Sequence, residues 1–291
     1  MAALRETRDR INSVRSTLKI TSAMKLVASA KLRKAQKLIE ALRPYERTLG
    51  EILAAVEKTK LAAESSRRSA GKPSPNRSST TAIVVIASNS SMCGGFNVNV
   101  LHKALETIQG CEGEVEVYPI GRKIADGLRR EGYTCPDDWN DLIGHPAYDK
   151  SSLLARSLSD RFVRGNLSRV LLVYTSFRSV SRHEPVVEEY LPFVPAKVET
   201  ADQVREVKDY ILEPDAETLI DRLLPQVLLL KFHAAILDSA AAEHAARTIA
   251  MQAATDNGEE LLGELTLEYN KRRQQKITSE ILDLLGGDQN R

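Results

Sequence analysis

The stretch Ser88-Asn-Ser-Ser-Met-Cys-Gly-Gly-Phe-Asn97 holds residues that could do chemistry. It follows an apolar β-branched run and precedes a helical pattern, the usual ligand position in open α/β sheets. A cysteine there could act as a nucleophile, because a helix N-terminus lowers a thiol pKa. The plainer reading of Cys93 is a buried thiol beside a tight glycine turn, since free cysteines are commonly buried. The stretch carries neither a P-loop pattern nor GxGxxG, so phosphate binding has little support. His102, His145, His183, His233 and His244 show no metal-ligand spacing. Cys93, Cys111 and Cys135 form an odd set without CxxC, which reads as reduced intracellular thiols. No catalytic residue, cofactor-binding residue or metal ligand is expected.

A second candidate is charge. From residue 1 to 39 the bases are Arg5, Arg8, Arg10, Arg15, Lys19, Lys25, Lys31, Arg33, Lys34 and Lys37, against the acids Glu6 and Asp9. The chain as a whole carries only +2. Such a run is a solvated face by default. It would also suit a nucleic-acid stripe, but no stacking aromatic interleaves before Tyr45. The third reading is a surface enclosed by acidic partner groups, whose charges steer contact more than they hold it.

The elements that position these residues are legible from periodicity. Leu4, Thr7, Ile11, Val14, Leu18, Thr21, Lys25, Ala28, Leu32, Ala35, Ile39, Leu42, Glu46, Leu49, Leu53 and Val56 recur in steps of three and four. So do Leu223, Val227, Leu230, Ala234, Leu237, Ala241, His244, Thr248, Met251, Thr255, Gly258, Leu262, Leu265 and Tyr269. A mean step of 3.5 is a coiled-coil seam with left-handed supercoiling, and the two ends of the chain are each other's expected partner. Small residues in the second seam allow close backbone approach. The first helix reads as residues 3 to about 58, roughly 80 Å long, with a kink or local unwinding at Pro44. The last runs from Pro214-Asp215 to Gly286-Gly287, with Pro225 inside it.

Between the helices, Thr81–Ala87, Glu114–Ile120 and Arg169–Tyr174 read as strands and Glu184–Phe193 as edge strand. Helices are expected to about Gln109, over Arg122–Glu131 and over Ser151–Arg164. This alternation implies a parallel sheet with helices on both faces. The expected fold class is α/β plus a long antiparallel coiled coil, with a central Rossmann-like parallel sheet domain. The expected division is 1–60 coiled-coil helix, 61–80 flexible linker, 81–210 α/β domain and 211–291 coiled-coil helix. Aromatics at 5% suit slender helices. No run approaches the eighteen or so apolar residues of a membrane span, and no signal-peptide pattern opens the chain.

Three motif groups carry a family resemblance. Arg10-Ile-Asn-Ser-Val14, Ile20-Thr-Ser-Ala-Met-Lys-Leu-Val27 and Ala30-Lys-Leu-Arg-Lys-Ala35 resemble the N-terminal signature of the γ subunits of F-type ATP synthase. Ala245-Ala-Arg247, Ala250-Met251, Ala253-Ala-Thr-Asp-Asn257, Leu267–Gln274 and Ile277-Thr-Ser-Glu-Ile281 resemble the C-terminal one. Cys93-Gly-Gly-Phe-Asn97 and Tyr174-Thr-Ser-Phe177 look like its central landmarks. Ser88–Met92 departs from the commoner acidic-basic-glycine-leucine version, and no close cysteine pair matches the chloroplast redox switch.

The resemblance implies a non-catalytic rotor subunit of a proton-translocating complex. Its implied partners are a collar of α and β subunits, the ε subunit and the membrane c-ring. Neither nucleic acid nor a transmembrane segment of its own is implied. The implied location is the cytoplasmic face of a bacterial inner membrane. By motif, Met24, Lys25, Arg247, Arg273, Gln274, Thr278 and Glu280 are implied collar contacts. An α/β enzyme and a basic coiled-coil scaffold stand as the alternatives.

Overall fold

A computed structural model describes residues 2–57, 79–135, 139–144, 146–193 and 215–287. The elements run α1 (Ala2–Glu57), β1 (Thr81–Ile86), α2 (Phe96–Gln109), β2 (Val115–Ile120), α3 (Arg122–Arg130), α4 (Asp141–Gly144), α5 (Tyr148–Val163), β3 (Arg169–Phe177), β4 (His183–Leu191) and α6 (Ala216–Gly287). The linker expected over 61–80 lies outside the described residues except for Ser79 and Thr80, and so does His145.

The four strands form one sheet in the order β2-β1-β3-β4. β1 pairs in parallel with β2 and with β3, whereas β3 and β4 are antiparallel. The sheet is therefore mixed rather than wholly parallel. The physical reason lies in the short Arg178–Arg182 connection, closed by hydrogen bonds between Arg178, Ser179 and Arg182. A turn that short reverses the chain, while a parallel return needs a crossover of a dozen residues or more. Pairing with β4 also carries β3 to Phe177, beyond the Tyr174 expected from its apolar run.

Alternation along the strands splits the core in two, as successive side chains leave opposite faces. Ala82, Val84, Ile86, Val170 and Leu172 join Leu154, Leu158 and Phe162 of α5 on one face. Ile83, Val85, Leu171 and Val173 join Val100, Ala104, Ile124 and Leu128 of α2 and α3 on the other. Every residue of β1 is buried, as expected for a strand covered on both faces. Complete burial of such a Val, Leu or Ile contributes roughly 1.5–3 kcal/mol.

Both long helices continue through their prolines. Pro44 lies inside α1 and Pro225 inside α6, and neither ends its helix. Each removes one backbone donor, but the flanking turns are held by packed Leu42 and Leu49 in α1 and by Leu224 and Val227 in α6. The local unwinding expected at Pro44 is thus absent. Asp215 caps α6: its carboxylate accepts from the Thr218 backbone N–H at 2.8 Å and from the Thr218 hydroxyl at 2.8 Å. By length and composition α6 is apolar enough to cross a membrane, yet 67% of its most apolar stretch is buried within the protein. Its apolarity is accounted for by packing.

The contacts divide the chain into two compact units, Met1–Ser29 with Arg247–Arg291, and Ala30–Ala246. In the first, the start of α1 lies antiparallel to the end of α6. Leu18 contacts Gly258, the Thr21 and Thr255 hydroxyls meet at 3.0 Å, and Lys25 Nζ donates to Gln252 Oε1 at 2.6 Å. Each advance along α1 meets a retreat along α6. Gly258 suits this approach: a Cβ there would stand 2.7 Å from Leu18 Cδ2, so the leucine would have to move.

In the second unit, Leu32, Ala35 and Ile39 of α1 share a core with Leu237, Ala241 and Ala245 of α6 and with the sheet. The Tyr190 hydroxyl donates to Leu228 O at 3.1 Å and the Ser239 hydroxyl to Ile86 O at 3.3 Å. The Arg43 guanidinium donates to Phe177 O at 3.5 Å. The sheet is bonded to both long helices.

Candidate partner interface

The loop after β1 is a closed structural knot. Ser88 is fully buried, and its hydroxyl reaches Ser90 O at 2.6 Å and Asn97 Oδ1 at 2.8 Å. The Asn97 amide donates to Cys93 Sγ at 3.2 Å. Cys93 is buried in the core shared by β1, α2 and α3, which withdraws the thiol from solvent. Among the described residues no cluster of histidine, cysteine and carboxylate side chains could hold a metal ion.

The residues singled out by motif all fall in the first unit and form two groups. Met24 and Lys25 are half-buried on α1, Lys25 tied to Gln252 across the seam. Arg247 is buried on α6. Arg273, Gln274, Thr278 and Glu280 are exposed near the far end of α6. Thr278 donates to Gln274 O at 3.0 Å, and Glu280 pairs with Lys276 at 3.3 Å. Twenty-one residues of helix separate Gln252 from Arg273, about 30 Å along the axis, so the groups are two stations rather than one site.

The antiparallel register brings the start of α1 opposite Arg273 and Gln274. At this end of α6, Ile277, Ile281 and Leu282 are exposed. Exposed apolar side chains also flank Met24. Ile20 is 60% exposed and Val27 56%, and with Met24 they follow one face at steps of four and three. Sequence reasoning missed this stripe because the eye follows the seam. Its signal was present: large aliphatic residues at positions that a two-helix seam does not use.

What these surfaces can do is bind a protein. A narrow pair of helices with exposed aliphatics set among bases offers contact area without an enclosed ligand cavity. The hollow beside Arg5, Glu6, Asp9, Arg10, Leu261 and Leu265 is an open groove along the pair.

Comparison with known proteins decides the family. A family model described as ATP synthase matches residues 3–289. The ATP synthase gamma chain of Bacteroides fragilis is 46% identical over 293 residues, covering 99% of each chain. The chain belongs to the ATP synthase gamma-chain family. Phocaeicola vulgatus has a gamma chain 42% identical over 292 residues, again 99% of each, and that of Geobacter metallireducens is 35% identical over 290 residues, covering 99% of this chain and 98% of its own. Among solved structures, a chain of the Euglena gracilis mitochondrial ATP synthase (OSCP/F1/c-ring, rotational state 3) superposes with a TM-score of 0.64 at 17% identity, covering 98% of this chain and 93% of its own. At that identity the likeness establishes the fold, a mixed sheet with long terminal helices. The family match thus spans both groups of residues and the sheet.

Proposed function

We propose that this chain is the central rotor shaft of a proton-translocating F-type ATP synthase. The observation that supports it is the antiparallel pairing of α1 with α6 in a chain related end to end to gamma chains. On this reading the chain is not itself catalytic. The helix pair of the first unit turns inside a collar of α and β subunits. The sheet-bearing unit meets the ε subunit and the c-ring at the cytoplasmic face of a bacterial inner membrane.

A shaft transmits torque if it is stiff along its axis and unequal around it. The seam supplies stiffness. The inequality comes from the faces, with Ile20, Met24 and Val27 on one and a basic run on others. A collar site that contacts different faces in turn has a different affinity for nucleotide in each position, which is coupling by differential contact. Met24, Lys25 and Arg247 form the proposed lower station, and Arg273, Gln274, Thr278 and Glu280 the upper one.

The test is reconstitution with α and β subunits of a related bacterium, followed by an ATP hydrolysis assay with and without this chain. Co-purification and restored hydrolysis support the rotor reading. Failure to assemble, with partners that do assemble with their own gamma chain, overturns it.

A further inference from the structure

A cavity of about 120 Å³ lies within the second unit where α1, β3, β4 and α6 meet. Among the described residues, the ionisable groups facing it are Arg43 and Glu46 from α1, Tyr174 from β3, Glu188 from β4, and Lys231 and Asp238 from α6. Three carboxylates thus share the space with two cations and a phenol.

The pairing is uneven. Lys231 Nζ lies 2.9 Å from Glu188 Oε1, and the Tyr174 hydroxyl donates to Glu188 Oε2 at 2.9 Å. Glu188 therefore takes both the ammonium and the phenol. The Arg43 guanidinium leans on Phe177 O at 3.5 Å, while the Phe177 amide holds Asp238. Glu46 and Asp238 are left to share the field of Arg43. With all three carboxylates ionised, one negative charge in a partly desolvated cavity lacks a counterpart among the described residues. Buried charge of that kind is costly, and the cheapest remedy is a proton on one of the acids.

We infer that this cavity is a proton-binding site, taken by Asp238 with Glu46 as the second acceptor, and that the bound proton tightens the seating of the sheet on α1 and α6. One proton leaves two negative charges against two positive ones. The neutral carboxyl also becomes a donor, able to bond the neighbouring carboxylate that it otherwise repels. The electrostatics agree: burial raises Asp238 to about 6, opposed by Arg43 and reinforced by Glu46. Burial, then Glu188, also raises Glu46 above its ordinary value.

The sign follows from linkage. An acid whose folded pKa is raised makes the fold more stable on the acid side. That increment is fully present below the unfolded value of about 3.9 and is lost as pH rises through about 6. The inference stands independently of the proposed function.

Two measurements on the full chain test it. The first is a carboxyl-carbon NMR titration of the unsubstituted, aspartate-labelled protein, in which Asp238 should titrate near 6. The second is urea unfolding of Asp238→Asn, whose side chain mimics the protonated acid. At about pH 7.5 the variant should unfold with an equilibrium constant up to about a hundredfold smaller than the parent, an advantage shrinking steadily toward about pH 4. An Asp238 signal titrating in the ordinary range near 4 overturns the proposal, whatever the variant does. So does a variant no more stable than the parent at the higher pH.

Discussion

The hydroxyls of Thr21 and Thr255 lie 3.0 Å apart across the α1–α6 seam, each also within reach of a carbonyl on its own helix, Leu18 O at 3.1 Å and Met251 O at 2.8 Å. Two buried polar groups at facing positions fix which turn of one helix lies beside which turn of the other. Sliding the helices by a turn would part the two hydroxyls, and in one direction would set that of Thr255 against Leu18.

That pair has an asymmetric mutational signature. Thr21→Val leaves the Thr255 hydroxyl facing a methyl group and should cost about 1 kcal/mol, and Thr255→Val should do likewise. The double valine replaces both partners with groups of similar shape and should cost less than the two singles together. A double-mutant cycle by urea unfolding reads the difference, and strict additivity would show that the hydroxyls are not coupled.

Gly258 packs against Leu18 across the helix pair. Gly258→Leu has no room against Leu18 and should lower stability by about 1–3 kcal/mol, as overpacking does. Adding Leu18→Ala vacates the space and should recover part of the loss. No recovery in the thermal midpoint of the double variant would mean that the backbones had already parted.

His233 sets a second pH dependence of opposite sign to that of Asp238. It is buried between α5 and α6, its Nδ1 3.0 Å from the Ser151 hydroxyl and its ring edge-on to Tyr148. Burial pushes its pKa below the ordinary histidine value. The stability it contributes is complete above about 6.5 and declines as pH falls through its lowered folded value. His233→Gln should flatten the acid limb of a plot of unfolding midpoint against pH. An unchanged acid limb would place that limb elsewhere.

Ile20 and Val27 separate folding from assembly. Both are exposed and off the seam, so Ile20→Ser with Val27→Ser should change the stability of the isolated chain by no more than about 0.5 kcal/mol per site. If this face meets the collar, the same variant should lower ATP hydrolysis of the reconstituted complex. Equal hydrolysis by variant and parent would remove the stripe from the interface.

Much of this was legible in the sequence. Seam spacing located Thr7, Ile11, Ala28, Leu32, Ala35, Ile39, Leu49 and Leu53, all buried, because a narrow apolar stripe on a long helix has only one way to be covered. β1 was legible as an unbroken β-branched run. The antiparallel placement of β4 was not: its alternation is what any half-covered strand shows, and direction depends on a connection rather than on composition. α4, at four residues, is too short to have a period. The acid cavity was hidden more deeply. Glu46 stood in the sequence as one more seam position, and Glu188, Lys231 and Asp238 carry no motif, since only the tertiary fold brings β3 and β4 against them.

The partners in the first unit lie far apart in the chain, Thr21 and Thr255 being 234 positions apart. At roughly 5–20 residues per second, synthesis delivers the second about 10–50 s after the first. Throughout that interval the early half of the seam has no mate, and its aliphatic stripe stands open to every other nascent chain nearby. An apolar stripe left open during synthesis is an aggregation hazard, and overexpression should reveal it as aggregation before any defect in the folded product.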